Sequence, residues 1–347
     1  MSLVSYRGRF APSPTGDLHV GSMATALVAW LRARAAGGAL ILRVEDIDTP
    51  RVLPDSEARQ IADLHWLGLD WDEGPNIGGP HAPYRQSERT ALYEAAIHHL
   101  SAQGLVYLCD CSRRELRSAS VLGTAPVGRY AVASQALISP TTSPPSRGFG
   151  IASAPHAGEE EPRYPGTCRP HGMRSRRWKR PPAVRVALPD REVVVNDAFQ
   201  GMFRQHVERT VGDFVLKRGD GVYAYQLAVV VDDLAMGITE VVRGADLLNS
   251  APRQTLLAEM LGGPAPAFAH VPLIVGADGG RIEKRNPCHT LHGLRALGMS
   301  PGVFAAEIAR TLRIVDPACG SLDLATASRD SFDLAALRGC RELRLRM

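Results

Sequence analysis

Lysine is nearly missing from this chain: of 40 basic residues only Lys179, Lys217 and Lys284 are lysines, and every other one is arginine. The bias reflects overall composition and excludes nothing, but it singles out each lysine. Long apolar runs are missing too. No stretch approaches the roughly 18 to 20 apolar residues that a membrane span needs. No basic segment followed by an apolar block stands at the start, so no secretory leader is expected. These absences predict a cytoplasmic protein without a membrane partner. Cysteine is scarce, with six residues at 109, 111, 168, 288, 319 and 340. In that setting thiols stay reduced, and metal ligation is a better use of a cluster than a disulfide. The charge excess is small, a formal +4, compatible with a polyanionic partner without demanding one. No internal repeat is visible.

What is present is a chain of 347 residues, 45% of them hydrophobic, enough for two domains or one large one with insertions. The first 108 residues alternate in the α/β manner. Leu40–Val44 reads as a buried strand, Asp55–Leu67 and Glu88–Ala102 as helices, Val106–Leu108 as a strand. Such units imply a parallel sheet with right-handed crossovers. Residues 117–162, rich in Ser, Ala, Pro and Gly, break the pattern and predict a loosely ordered insertion. Order resumes near Val184, with strands expected at 214–217, 238–242 and 271–275 and helices at 223–236 and 251–261. The tail from 290 shows two short helical patterns and no strand. The division is therefore 1–108 and 211–289 as two halves of a nucleotide-binding catalytic domain, 109–210 as an inserted subdomain, and 290–347 as a short helical tail.

Arg9-Phe-Ala-Pro-Ser-Pro-Thr-Gly-Asp-Leu-His-Val-Gly-Ser22 follows the apolar run Leu3–Tyr6, expected as a strand, and leads into helical spacing over Val20–Ala36. A helix start offers unpaired backbone N–H groups and a positive dipole end to phosphate. His19 can donate to a phosphate oxygen, and Gly21 lets a ligand approach the backbone. The plainer alternative is a Pro-rich turn before a surface helix. Arg43-Val-Glu-Asp-Ile-Asp48 lies where a buried strand ends, which is where ligands bind in open α/β sheets; Glu45 can accept from an ammonium group there. Tyr225 and Arg243 lie in the second half. Arg243, like Arg9, sits near a strand end, and arginine's planar fork suits a carboxylate. Gly279–Arg285 is a Gly-rich loop whose Lys284 can act as a point charge for pyrophosphate. Cys109 and Cys111, with Cys168, supply thiolates for a tetrahedral zinc site. For the fourth donor, chemistry alone favours His171 over Tyr164. Six Arg/Lys with Trp178 in 169–180 are either a phosphate-contacting patch or a solvated basic loop.

Taken in order, these motifs resemble class I aminoacyl-tRNA synthetases of the glutamyl type. Arg9–Ser22 looks like the first signature of that family, with Ser22 in place of its last histidine. Arg43–Asp48, Leu67–Pro75, Tyr84–Arg89, Asp220–Asp233 and Val242–Leu247 match as well. Only 63 residues follow Lys284, too few for the helical anticodon-binding part of a full glutamyl-tRNA synthetase. The resemblance therefore narrows to the short paralogues, the glutamyl-queuosine tRNA(Asp) synthetases.

The resemblance implies a Rossmann-like parallel sheet with an inserted zinc-bearing subdomain. It implies activation of glutamate by ATP, with Mg2+, without tRNA, and transfer of glutamate to queuosine in the anticodon loop of tRNA(Asp). We expect a monomer. It implies glutamate-binding positions at Arg9, Phe10, Ala11, Pro12, Ser13, Glu45, Tyr225 and Arg243. ATP positions fall at His19, Gly21, Ser22 and Lys284, with His19 and Lys284 catalytic. One structural zinc falls on Cys109, Cys111, Tyr164 and Cys168, so that here Tyr164 replaces His171. The rivals are a truncated glutamyl-tRNA synthetase charging a tRNA 3′ end, and a catalytically silent paralogue that binds RNA or nucleotide. Two departures stand out. The second signature reads Arg281-Ile-Glu-Lys284, with Glu283 where a small hydroxyl is usual; a like-charge contact there costs about 4 kcal/mol before relaxation. And 52 residues separate Cys111 from Tyr164, against about a dozen in the family, although closure entropy grows only logarithmically with length.

Overall fold

The structure, a computed structural model, describes residues 5–112, 114–116, 163–276, 279–280, 290–327 and 332–345. Along these run β1 (Arg7–Phe10), α1 (Val20–Ala35), β2 (Ala39–Leu42), α2 (Ser56–Trp66), α3 (Thr90–Ala102), β3 (Val106–Cys109), β4 (Ala183–Val186), β5 (Val193–Asp197), β6 (Gly201–Gln205), α4 (Val207–Thr210), β7 (Val215–Lys217), α5 (Tyr225–Ala235), β8 (Glu240–Gly244), α6 (Ala251–Met260), β9 (Ala267–Val271), β10 (Leu273–Val275), α7 (Leu291–Ala296), α8 (Pro301–Thr311) and β11 (Glu342–Arg344).

The main sheet has the order β2-β1-β8-β9-β5-β6. The pairs from β2 through β5 are parallel, and β6 folds back antiparallel on β5. Successive side chains on a strand point to opposite faces, and both faces here are covered. Leu40, Leu42, Val242, Ala269 and Val271 share one cluster with α1 and α8. Ile41, Val195, Val241 and Phe268 share another with Met236 and Ala251. Burial on both faces explains why these strands read as continuous apolar runs rather than as alternation. Helix α1 is apolar all round and correspondingly buried.

Strand β1 lies between β2, its successor after α1, and β8, which comes nearly two hundred residues later in the chain. The direction of winding reverses between β1 and β8. That is a topological switch point, where crevices open beyond the carboxyl ends of the strands.

Four details differ from the sequence reading. Among the described residues the first strand is Arg7–Phe10, so Arg9 is a strand residue; Leu3 and Val4 of the expected Leu3–Tyr6 strand lie outside the described residues. The register of β1 with β2, Arg7 opposite Ala39, is possible because the interior holds partners for Arg9. The strand expected at 271–275 is two strands, broken at Pro272, which has no N–H to donate to a ladder. Residues 193–205, assigned within 109–210, form β5 and β6 of the main sheet. The tail does hold a strand, β11, paired in parallel with β10.

A smaller antiparallel sheet, β3-β4-β7, carries the rest of the middle segment. Cys109 lies opposite Ala183 in it. The expected loose insertion 117–162 lies outside the described residues. Among the described residues no helix is long and apolar enough to cross a membrane.

Candidate active site

The carboxyl ends of β1, β2 and β8 carry the predicted residues. After Phe10 the chain leaves the sheet and runs to His19, which caps α1. The His19 ring accepts from the Ser22 N–H at 3.3 Å, and its other nitrogen lies 3.1 Å from the Ser22 hydroxyl. A Cβ on Gly21 would come within 3.0 Å of the His19 ring. A side chain here would press on the imidazole that lies across the helix start, a second reason for glycine beside ligand access. The loop is joined to the next motif by Glu45 N–H donating to the Pro12 carbonyl at 3.0 Å. Ser13 is exposed, Ala11 and Pro12 half-buried. Phe10 turns its ring into the core and its carbonyl accepts from Arg43 N–H at 3.0 Å, so the structure does not bring its side chain to the loop.

Arg9, Glu45, Tyr225 and Arg243 converge. Tyr225 feels the charges of Arg243, Glu45, Arg9 and Asp233, and burial raises its hydroxyl above the usual range. Burial likewise pushes the Glu45 carboxyl up, against the pull of Arg43 and Arg9. Arg9 is 3% exposed; its Nη1 donates to the Val242 carbonyl at 3.1 Å and its Nε lies 3.5 Å from Asp233. Arg243, 4% exposed, donates Nε to His270 Nε2 at 3.0 Å, Nη1 to Gln254 Oε1 at 2.6 Å and Nη2 to the Leu247 carbonyl at 3.3 Å. Burial pulls its guanidinium below the ordinary value. All three partners are uncharged acceptors. Among the described residues no carboxylate lies within hydrogen-bonding distance of it.

Arg43 and Arg89 are matched by carboxylates, whereas Arg185, also buried, donates to the Asp213 backbone carbonyl at 2.7 Å and lies over the Tyr164 ring. Arg43 is fully buried and meets Asp233 at 2.7 Å and Glu45 at 3.1 Å. Arg89 meets Asp232 at 2.6 Å, and Asp232 also accepts from Gln86 at 3.0 Å and Tyr93 at 2.9 Å. Sequence reasoning missed this network. Asp232 and Asp233 sit on a helix that is otherwise apolar, and a carboxylate pair there reads as surface. The available signal was a second buried-strand arginine, Arg43, two residues before Glu45.

Cys109, Cys111 and Cys168 bring their sulfurs within 4.8 Å of one another. Cys109 Sγ lies 3.4 Å from the Tyr164 hydroxyl and Cys111 Sγ 3.6 Å from Cys168 Sγ. Tyr164 is 3% exposed and packs in this cluster, whereas His171 is exposed and lies outside the group. Burial, with the Cys109 thiol beside it, pushes Cys111 up to about 12. Gly212, at φ 74°, pairs with Tyr164; a Cβ there would stand 2.3 Å from the Tyr164 carbonyl. The three thiols form a group that could hold a metal ion, with the Tyr164 hydroxyl beside Cys109 and accepting from the Cys168 N–H at 2.9 Å.

Residues 5–126 and 153–311 match the family model of tRNA synthetases class I (E and Q), catalytic domain. The chain belongs to that family. Its curated relatives include the glutamyl-Q tRNA(Asp) synthetases of Symbiobacterium thermophilum, 48% identical over 89% of this chain and 87% of the relative, and of Nitratidesulfovibrio vulgaris, 44% identical over 87% and 83%. Among solved structures it is similar to a glutamate tRNA ligase from Elizabethkingia meningosepticum in complex with its amino acid. That match has a TM-score of 0.72 at 29% identity and covers 98% of this chain and 67% of that one. The mainly parallel sheet is thus the class I synthetase fold.

The expected second signature, Arg281–Lys284, falls within 281–289, which lie outside the described residues, Glu283, Lys284 and Cys288 with them. Their flanks are described: the chain leaves β10 at Gly276 and returns at Thr290, whose backbone bridges His19, with Leu291 N–H donating to the Leu18 carbonyl at 3.2 Å. The other two lysines are in ion pairs, Lys179 with Glu115 and Lys217 with Glu94. In the basic stretch 169–180, Arg169, Arg176, Lys179 and Arg180 are each set against a carboxylate, and Arg176 stacks over Trp178.

Proposed function

We infer that this synthetase activates glutamate with ATP, without tRNA, and transfers it to queuosine in the anticodon loop of tRNA(Asp). The observation that carries the glutamate assignment is Arg243, a buried cation whose hydrogen-bond partners among the described residues are all uncharged, with Tyr225 and Arg9 close enough to act on its charge. The names of the relatives support the acceptor.

The substrate's side-chain carboxylate takes the guanidinium as a charge-assisted pair. Its ammonium group meets Glu45. Its α-carboxylate attacks the α-phosphorus of ATP, and pyrophosphate leaves. Positioning and charge stabilisation carry the step; no protein nucleophile is needed. His19, Gly21 and Ser22 at the start of α1 bind the triphosphate, with Lys284 as a further cation and Mg2+ accompanying ATP. The stretch Arg9–Ser13 frames the amino acid. Cys109, Cys111, Cys168 and Tyr164 would hold one zinc ion, which cross-links the smaller sheet to the segment carrying Tyr164.

The test is glutamate-dependent ATP–pyrophosphate exchange without tRNA, followed by transfer of labelled glutamate to queuosine-containing tRNA(Asp). Label in an anticodon-loop fragment after nuclease digestion is the expected result. Label on the 3′-terminal fragment would make this a tRNA-charging enzyme, and no exchange with zinc-loaded protein would make it a silent paralogue. Periodate treatment alone does not discriminate, since it oxidises both the terminal and the queuosine diols.

A further inference from the structure

Arg243 is held from behind by a second buried pair that the sequence reading did not single out. His270, on β9 directly opposite Arg243 on β8, is fully buried, and so is the Asp197 side chain at the end of β5. Asp197 Oδ2 lies 2.5 Å from His270 Nδ1. Its Oδ1 is claimed by three backbone N–H groups, those of Gln200 at 2.8 Å, Phe199 at 3.0 Å and His270 at 3.1 Å. The carboxylate can only accept, so Nδ1 carries the ring proton and Nε2 is bare. That bare nitrogen accepts from Arg243 Nε at 3.0 Å. The Phe268 ring lies 5.2 Å from the guanidinium carbon.

We propose that Asp197 and His270 are positioning residues for selection of the acidic amino acid. Asp197 fixes the tautomer, His270 fixes the plane of the Arg243 fork, and the neutral imidazole keeps the carboxylate one ring away so that the guanidinium charge stays available to the substrate. A carboxylate in direct contact would occupy the fork; an imidazole orients it and leaves its charge. This rests on the reading of Arg243 as the grip on the substrate's side chain.

Asp197→Asn tests the tautomer. The three backbone donors at Oδ1 hold the amide oxygen there, which turns the amide NH2 toward His270 Nδ1. Nδ1 must then accept, Nε2 acquires the proton, and two donors face each other at Arg243. Glutamate binding measured by calorimetry without ATP is expected to weaken at least tenfold in Asp197→Asn and in His270→Ala. His270→Gln, whose amide can donate to Asp197 and accept from Arg243, is expected to stay within about threefold of wild type. In pyrophosphate exchange the loss should fall on KM for glutamate, with KM for ATP unmoved and the preference for glutamate over glutamine reduced. Unchanged glutamate affinity in Asp197→Asn, or equal loss in the glutamine variant, overturns the proposal. Wild-type protein that binds glutamate without supporting exchange would overturn the proposed function and leave this inference standing. His270→Gln and Asp197→Asn keep the test open should His270→Ala fail to fold.

Discussion

The Arg43 guanidinium lies 2.7 Å from Asp233 Oδ1 in the interior of the protein, tying the end of β2 to α5 across 190 positions of sequence. Removing one member of such a buried pair leaves the other charge uncompensated, which costs about 3 to 5 kcal/mol. Arg43→Met is expected to lower stability by that amount in urea unfolding. Arg43→Met combined with Asp233→Leu should lose less than the two single losses added together.

Arg243→Lys replaces a forked cation by a point charge. It cannot reach His270, Gln254 and Leu247 together while presenting a second face to a carboxylate. A loss of about 1.5 to 3 kcal/mol in charge-assisted hydrogen bonding corresponds to roughly a 10- to 150-fold drop in kcat/KM for glutamate. Exchange assays at varied glutamate check it, and an unchanged value would remove Arg243 from the substrate's grip.

Metal analysis of the purified protein is expected to find zinc at one atom per chain. Cys168→Ser should abolish it. Gly212→Ala offers a route that leaves all four proposed ligands in place. Its Cβ would stand 2.3 Å from the Tyr164 carbonyl on a backbone at positive φ, so the Tyr164 segment must move. Zinc retention under a chelator should fall in Gly212→Ala, together with a stability loss of about 1 to 3 kcal/mol. Full retention in both variants would rule out the assigned ligands.

Burial pushes the His270 imidazole below its ordinary value, beyond what the Asp197 hydrogen bond restores. The unfolded chain takes up a proton at this residue below about pH 6.5 while the folded chain does not, so acidification through that range removes stability. Asp197, held down against burial chiefly by the hydrogen bond from His270, contributes stability above the usual carboxylate range and loses it only at lower pH. Urea midpoints at pH 7.5 and 5.5 should therefore fall with acid in wild type and fall less in His270→Gln. An equal fall in both would place the titration elsewhere.

The sequence disclosed the strands and helices that are long or apolar, and the boundaries of α3, α5 and β8 shift by only one or two residues. It concealed whatever depends on distant pairing. β11 is three residues long and exists because β10 offers an edge. Val193–Asp197 alternates buried and exposed residues, a half-covered strand signal that its place after a long irregular stretch obscured. Among the site residues, Glu45, Arg9, Tyr225 and Arg243 were legible because each lies near a strand or helix end in a recognisable motif. Asp197 and His270 were not. Each lies in an apolar strand, where a single polar residue is indistinguishable from a satisfied core group until its partner is known. Donor chemistry favoured His171 and the family resemblance Tyr164; in the structure Tyr164 is buried beside Cys109 and His171 is exposed.

The parallel pairing of β11 with β10 makes the far end of the chain a clasp. Leu273 N–H donates to the Arg341 carbonyl at 2.8 Å and Leu345 N–H to the Val275 carbonyl at 2.8 Å, immediately ahead of the stretch that holds Lys284. Removing Glu342–Arg344 would therefore leave β10 without its parallel partner strand.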